Sequence, residues 1–480
     1  MEGQTTIFDM LYPKYKITKP IRLIEFFAGY GSQALALKYL GVKFEHYKIC
    51  EWAVKSIQAY KDIHFPNDNE DYSMLNNLSY EKLVDILYNY GISQNYNEPM
   101  KLEQIKRLGE KQARKIFNNI VATHNLVNIQ KVKGYSLEIE DTDKYEYIMT
   151  YSFPCQDLSL AGKGKGMSDT STRSGMLWEV ERILQECKDL GTLPQILLME
   201  NVPQVKTNDP MAWERWLARL EELGYKNYHQ DLIATDYGIP QTRNRCFMVS
   251  ILGDYSYTFP KPIPLKLKLK DMLEDNVDEK YFLSDKQLES LESGSYNASK
   301  PSVKLANTDK GLCQTLDTMS GGNRQPLVRV ANKSLQKTLE QNEINDICYI
   351  DTYNKRIDKD KSGTITTGVS FRNNTFLAIK DKPKVLGGYG KIGSTGQYHQ
   401  QNRVYDDKVA ISVTTAFNPY YKSDLKIRKL TPKECFRLMG VKDEDFEKCA
   451  KNQSDSSLYH LAGDSIVVDI LCHIFKELIN

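Results

Sequence analysis

The run Ile21-Arg22-Leu23-Ile24-Glu25-Phe26-Phe27 leads straight into Ala28-Gly29-Tyr30-Gly31-Ser32 and then into apolar residues at 35, 36, 37 and 40, with Gly41 beyond them. A short continuous apolar run predicts a strand buried on both faces, and the spacing after it predicts a helix that Gly41 closes. Val42 to Cys50 follows as a second strand with Glu51 at its end, and Trp52 to Tyr60 is helical in pattern. Strand, glycine turn, helix, strand and acid form the opening of a nucleotide-binding α/β sheet. In such a sheet, ligands meet the carboxyl ends of the strands.

The pattern is interrupted and then resumes. Residues 67–133 are rich in Asn, Tyr, Lys and Glu, with helical patterns near 80–90 and 103–121 and 9 basic residues against 8 acidic. They are expected to be a helical insertion and surface elaboration. Strands return at Tyr145–Thr150, Ile196–Met199 and Arg245–Leu252. Pro260-Lys261-Pro262-Ile263-Pro264 reads as a linker, and the Leu-Lys alternation of 265–270 predicts an edge strand with lysines outward. From 295 to 427 the chain is rich in Gly, Asn, Thr and Ser, with turns at Ser320–Asn323 and Gly387–Gly390. That texture predicts a second, loop-rich, mainly β domain. Thr431, Pro432 and Glu434 are an N-cap, a first-turn proline and the acid of a capping box, and Ser465–Leu478 is expected to be a closing amphipathic helix. A chain of 480 residues has room for two or three domains.

Composition narrows the function classes. The net charge is only +2, yet 295–427 holds 20 Lys and Arg against 12 Asp and Glu, so the remainder is acidic. A basic module on a less basic body suits a polyanion, and a solvated loop region is the plain alternative. The nine cysteines are scattered and form no C-x-x-C pair. Free thiols in a reducing cytoplasm are the expectation, with no zinc ribbon. The N-terminus has no apolar signal core, and no apolar run approaches the length of a membrane span.

Four motifs carry chemistry, each with a structural alternative. Gly29-x-Gly31 lets a backbone approach a ligand, and Glu51, 22 residues on, is placed to accept ribose hydroxyls. This fits a dinucleotide and an adenosine-bearing methyl donor equally. Trp52 offers a flat face for an adenine, or ordinary core packing. Ser152-Phe153-Pro154-Cys155-Gln156 puts a cysteine after a strand, ahead of a glycine-rich stretch with Lys163 and Lys165. That is a potential nucleophile beside a mobile lid, where a buried structural cysteine is the alternative. Glu200-Asn201-Val202-Pro203 puts a carboxylate at the end of an apolar strand, suited to a heterocycle nitrogen or to capping a helix. Gln241-Thr242-Arg243-Asn244-Arg245 puts two arginines on one face at a strand entrance, for an anionic or carbonyl ligand or a solvated edge.

Together these motifs resemble the cytosine carbon-5 DNA methyltransferases of the prokaryotic and phage type. Phe27-Ala28-Gly29-Tyr30-Gly31 resembles the donor loop, Glu51-Trp52 the ribose and adenine contact, and Phe153-Pro154-Cys155-Gln156 the nucleophile motif. Glu200-Asn201-Val202 and Gln241-x-Arg243-x-Arg245 resemble two further active-site motifs. Arg428 to Gly440 resembles the helix supporting the recognition domain, and Gly463-Asp464-Ser465-Ile466-Val467-Val468 the motif completing the donor pocket. The chain departs from the pattern at Glu25 and Asp464, where Asp and Asn are usual. Gly134-Tyr135-Ser136 stands where a Gly-Asp-Ile-like adenine contact is common, with Asp141 or Asp143 as substitutes.

The resemblance implies a Rossmann-like, S-adenosylmethionine-dependent catalytic domain over 1–259 and 428–480. A smaller, mainly β, target-recognition domain is implied over 260–427. It implies catalysis by Cys155, Glu200, Arg243 and Arg245, with no metal. Phe27, Ala28, Gly29, Gly31, Glu51, Trp52, Pro154, Leu177, Asp464 and Ser465 would bind the donor. Gln156, Lys163, Lys165, Gln241, Arg324 and Arg403 would bind DNA, with Gln325, Gln400, Gln401 and Asn402 as further candidate readers. The implied partner is double-stranded DNA, with a cognate restriction endonuclease where the enzyme serves such a system. A cytoplasmic monomer without membrane contact is expected. Transfer RNA as substrate, a nucleotide-dependent oxidoreductase and a non-catalytic DNA-binding regulator are the competing functions.

Overall fold

The computed structural model describes residues 12–153, 174–284 and 430–479, residues 287, 311–313, 315, 316 and 325, and seven strands between 327 and 429. The chain divides into two compact units. The first joins residues 1–277, 295–326 and 430–480, and the second joins 278–294 and 327–429.

The first unit is built on a six-stranded mixed sheet of β1 (Ile21–Phe26), β2 (Phe44–Cys50), β3 (Glu146–Tyr151), β4 (Ile196–Asn201), β5 (Tyr225–Ile233) and β6 (Asn244–Leu252). Their order is β2-β1-β3-β4-β6-β5. β1 to β4 are parallel, and β6 runs antiparallel to both β4 and β5. Two consequences fix the site. The chain steps from β1 outward to β2, then crosses β1 to lay down β3, so a crevice opens between β1 and β3 at their carboxyl ends. Because β6 is reversed, the residues entering it arrive at that same end, with Cys246 opposite Asn201.

Every residue of β3 and β4 is buried, as their unbroken apolar runs require. Helices Leu177–Leu190 and Pro210–Leu223 cover this part of the sheet with Trp178, Trp213 and Trp216. Trp216 is fully buried, and its truncation to Ala should cost about 3–5 kcal/mol. Thr431 caps helix Pro432–Arg437 through a capping box with Glu434, as predicted. The segment Asp455–Ile479 is apolar enough to cross a membrane by composition, but 72% of its most apolar window is buried inside the protein.

Several expectations change. The closing helix expected over 465–478 forms as Val468–Ile479, and a separate helix, Asp455–Asp464, which the sequence pattern does not single out, precedes it and ends at Ser465. The alternating 265–270 stretch joins no sheet: only a four-residue helix, Leu269–Met272, forms there, with Leu269 and Met272 buried. Residues 260–277 and 295–326, expected in the second domain, belong to the first unit. The Thr242 N–H bonds Cys313 C=O at 2.9 Å, and the Glu274 N–H bonds Glu434 at 2.7 Å.

The 67–133 insertion is more than a surface elaboration. Its helices Tyr80–Tyr90 and Gly109–Ala122 build their own core, on which Trp52 and Ile57 pack. Ser93 pairs with both Trp52 and Val54 through backbone hydrogen bonds of 2.8 and 2.9 Å. Asn125 forms a parallel bridge to Ile49 of β2. The insertion is thus stitched to the carboxyl end of β2.

The second unit is mainly β, as predicted. Its described strands are β7 (Leu327–Ala331), β8 (Cys348–Asp351), β9 (Arg356–Asp358), β10 (Thr375–Ala378), β11 (Val385–Gly388), β12 (Arg403–Tyr405) and β13 (Leu425–Lys429). All of them pair antiparallel, in small sheets β10-β8-β9, β11-β12 and β13-β7.

Candidate active site

The glycine turn leaves β1 with Phe27, Gly29 and Gly31 at φ of +57°, +56° and +83°. Gly31 has no room for a side chain: an added Cβ would collide with the Tyr60 ring and His64. Over Gly29 nothing lies within 4 Å of such an atom, so the space above the turn is open. Beneath it, the Glu25 carboxylate accepts the Tyr60 hydroxyl at 2.6 Å and the Ala34 N–H at 3.3 Å, holding the helix start Ser32–Tyr39. Burial pushes Glu25 up to about 7. His64, kept neutral by burial, bonds the Tyr30 carbonyl at 2.9 Å and steadies the turn from below.

Glu51 stands at the tip of β2, one strand over. One carboxylate oxygen accepts the Gly29 N–H at 3.0 Å, and the other accepts the Ala53 N–H at 2.7 Å. Burial raises its pKa to about 7, while those backbone bonds oppose the rise and Asp464 adds to it. Asn125 accepts the Glu51 N–H at 3.0 Å and donates to the Glu51 carbonyl at 2.9 Å. Asp464 pairs with His460 at 2.9 Å, and the Ser465 hydroxyl donates to the Leu461 carbonyl. Glycine backbone, a backbone-held carboxylate and open space fit the adenosyl group of a methyl donor, and Glu51 with Gly29 and Asp464 are the residues that would hold it.

The other half of the crevice lies at the tips of β3, β4 and β6. Glu200 is 5% exposed. It accepts the Ser152 hydroxyl at 2.7 Å and lies 3.1 Å from Arg245 Nε. The reversal of β6 brings Arg245 to this acid. A buried acid paired with a guanidinium escapes the penalty of isolation. Next to it the Asn201 amide donates to the Phe153 carbonyl at 3.0 Å, fixing the chain where it leaves β3 towards Cys155.

Pro154, Cys155, Gln156, Lys163, Lys165, Arg324, Gln400, Gln401 and Asn402 lie outside the described residues, and of Arg403 only the strand backbone is described. Four other candidates are buried. Gln241 is fully buried. Its amide donates to the Leu438 carbonyl at 2.7 Å and accepts the Leu316 N–H at 3.1 Å, so it joins three chain segments and has no face for DNA. Arg243 is 3% exposed and donates to the carbonyls of Leu316, Gly463 and Ser465 at 2.9, 3.2 and 2.7 Å. These bonds tie it to the chain on either side of Asp464. Leu177 is fully buried in the core of the first unit. Gln325 is also buried.

Gly134-Tyr135-Ser136, which stands where the family's adenine contact is common, lies against a helix of the core. Gly134 packs on helix Leu177–Leu190, its N–H bonding Glu186 at 2.7 Å, and Tyr135 is exposed. Residues that the sequence does not single out stand by Glu51 instead. Asn125 is the plainest, and its only sequence signal is an amide close to strand-like residues 126 and 127. Four of the six non-glycine residues with positive φ among those described, Phe27, Tyr96, His124 and Val127, belong to segments bonded around the tips of β1 and β2. Strain of this kind gathers at ligand sites. Burial raises the pKa of all seven cysteines whose side chains are described, which disfavours the thiolate at each.

The sequence profile of C-5 cytosine-specific DNA methylases matches residues 104–480. The chain is 30% identical over 461 residues to the type II methyltransferase M2.ScrFI of Lactococcus lactis subsp. cremoris, covering 95% of this chain and 99% of that protein. It is 36% identical over 272 residues to the orphan methyltransferase M.SssI of Spiroplasma monobiae, covering 56% of this chain and 68% of that one. Among solved structures, a Spodoptera frugiperda DNMT2 mutant superposes with a TM-score of 0.53 at 16% identity, over 95% of this chain and 99% of that one. At that identity the likeness is one of fold. The family match spans most of the chain, and the M2.ScrFI alignment also takes in the donor half: this chain belongs to the C-5 cytosine-specific DNA methylases.

Proposed function

We propose that the chain transfers a methyl group from S-adenosylmethionine to carbon 5 of a cytosine flipped out of a specific duplex DNA sequence, through a covalent adduct on Cys155. The observation that carries this is the buried Glu200–Arg245 pair beside the end of β3. Carbon 5 of cytosine is a poor nucleophile inside the base stack, so the base is first extruded. The Cys155 sulfur adds to carbon 6, which makes carbon 5 electron-rich. Glu200 holds a proton at ring nitrogen 3, where charge develops, and Arg245 holds Glu200 and faces the base carbonyl. The donor supplies the methyl group. The carbon-5 proton then leaves, the carbon 6–sulfur bond breaks, and Cys155 returns as thiolate.

Recognition of the target sequence is assigned to the basic, mainly β part of the chain within 260–427, with Arg324 and Arg403 as DNA contacts and Lys163 and Lys165 on the nucleotide backbone. The enzyme works as a cytoplasmic monomer. Its system partner is a restriction endonuclease where one accompanies it.

The test is trapping on duplex DNA carrying 5-fluorocytosine. Fluorine cannot leave carbon 5 as a proton does, so an adduct formed after methyl transfer persists. A denaturation-resistant complex should form with wild-type protein and donor, and not with Cys155→Ala. Trapping on 5-fluorocytosine transfer RNA but not on duplex DNA would move the substrate to RNA.

A further inference from the structure

The insertion brings one aromatic side chain to the donor half of the crevice. Its loop leaves Ser93, whose backbone is bonded to Trp52 and Val54, and reaches Tyr96, which sits at φ +64°. The Tyr96 ring lies over the His460 imidazole, with ring centroids 3.9 Å apart at 36°. His460 in turn pairs with Asp464 at 2.9 Å. Burial raises the Tyr96 hydroxyl pKa most, a hydrogen bond with Ser56 opposes the rise, and the nearby Glu51 and Asp464 carboxylates add to it. Glu51 and Asp464 also repel each other's charge. Tyr96 and His460 therefore form a ring stack beside two acids, at the tip of β2, and one ring comes from the insertion.

We propose that Tyr96, backed by His460, is a wall of the donor pocket and favours the charged methyl donor over its uncharged-sulfur product. This rests on the methyltransferase reading above. S-adenosylmethionine carries a fixed sulfonium charge, and S-adenosylhomocysteine, left after transfer, does not. An aromatic face attracts a cation, and two neighbouring carboxylates are relieved by one. Tyr96 is a specificity-determining residue of the known reaction and takes no part in bond making. The insertion, on this reading, serves to hold the Tyr96 ring in place.

The test is equilibrium binding of donor and product, separately, to the full-length protein by titration calorimetry. Wild type is compared with Tyr96→Phe, which keeps the ring, and Tyr96→Leu, which keeps apolar packing on His460 but loses the aromatic face. Tyr96→Leu should weaken donor binding on the order of tenfold while product binding moves by less than about threefold, and Tyr96→Phe should restore most of the preference. Both variants should methylate the same DNA sequence as wild type. Tyr96→Leu with an unchanged ratio of donor to product affinity, in protein that melts like wild type, overturns the proposal alone. Wild-type protein that binds neither molecule overturns the methyltransferase reading, and this inference with it.

Discussion

The two halves of the crevice treat a buried carboxylate in opposite ways. Glu200, at the tip of β4, has an arginine beside it and a hydroxyl on its other oxygen. Glu51, at the tip of β2, is held by two backbone N–H groups, and burial lifts it to about 7. In the first half the acid has a cation of the protein beside it, and on the proposed function this half would hold the base. The second half carries Glu51 and Asp464 close together, and on the proposed function a ligand with positive charge would complete it. The fold explains the contrast. Reversal of β6 brings Arg245 to Glu200, whereas β2 lies at the opposite edge of the sheet and receives the insertion instead.

This contrast can be broken from either side. Glu200→Gln should lower the methylation rate on the order of 10²- to 10³-fold with donor affinity nearly unchanged, read by steady-state kinetics and calorimetry. A large loss of donor affinity instead would join the two halves into one unit. Glu51→Gln should do the reverse. Donor affinity falls roughly ten- to a hundredfold, and the rate at saturating donor changes little. Gln241→Ala should leave the methylated sequence untouched and lower stability by about 1–3 kcal/mol in denaturant titration, because the Leu316 N–H and Leu438 carbonyl lose their buried partner. A changed target sequence would restore Gln241 to the DNA.

The smallest effect is in pH. Glu51 has a folded pKa of about 7, above its ordinary value of 4.5, so the folded state holds the extra proton between those values. Its contribution to stability is present below about 4.5 and is lost as pH rises through about 7. Glu25 acts in the same direction over the same window. A cationic donor favours ionised Glu51, so donor affinity should rise through pH 7, by no more than about tenfold per unit. Glu51→Gln should flatten that profile, and an unaltered slope would assign it to another group.

Much of this arrangement is legible in the chain. β1, β3, β4 and β6 announce themselves as apolar runs, and Gly29, Glu51, Glu200 and Arg245 sit at strand ends. β5 carries no such signal, because its central residues Lys226 to Asp231 are polar and at least partly exposed. The Leu-Lys alternation at 265–270 has the period of a strand but finds no partner strand, and period alone does not provide one. Gln241 and Arg243 look like ligand contacts in the sequence because sequence cannot say which side of a strand entrance faces inward. Their partners lie 73 to 222 residues away. Asn125 and Tyr96 are silent in the sequence for the same reason. Each gains its meaning only from Glu51 or His460, brought near by the sheet order and by the return of the C-terminus.

The most direct measurement is base-resolution cytosine methylation sequencing of DNA from a methylation-free bacterial host expressing the protein, with Cys155→Ala and Glu200→Gln alongside. The account predicts new 5-methylcytosine at one sequence motif with wild type, none with Cys155→Ala, and at most traces with Glu200→Gln. Soluble wild-type protein that binds the donor yet leaves DNA unmarked, or a mark that survives the loss of Cys155, would contradict it.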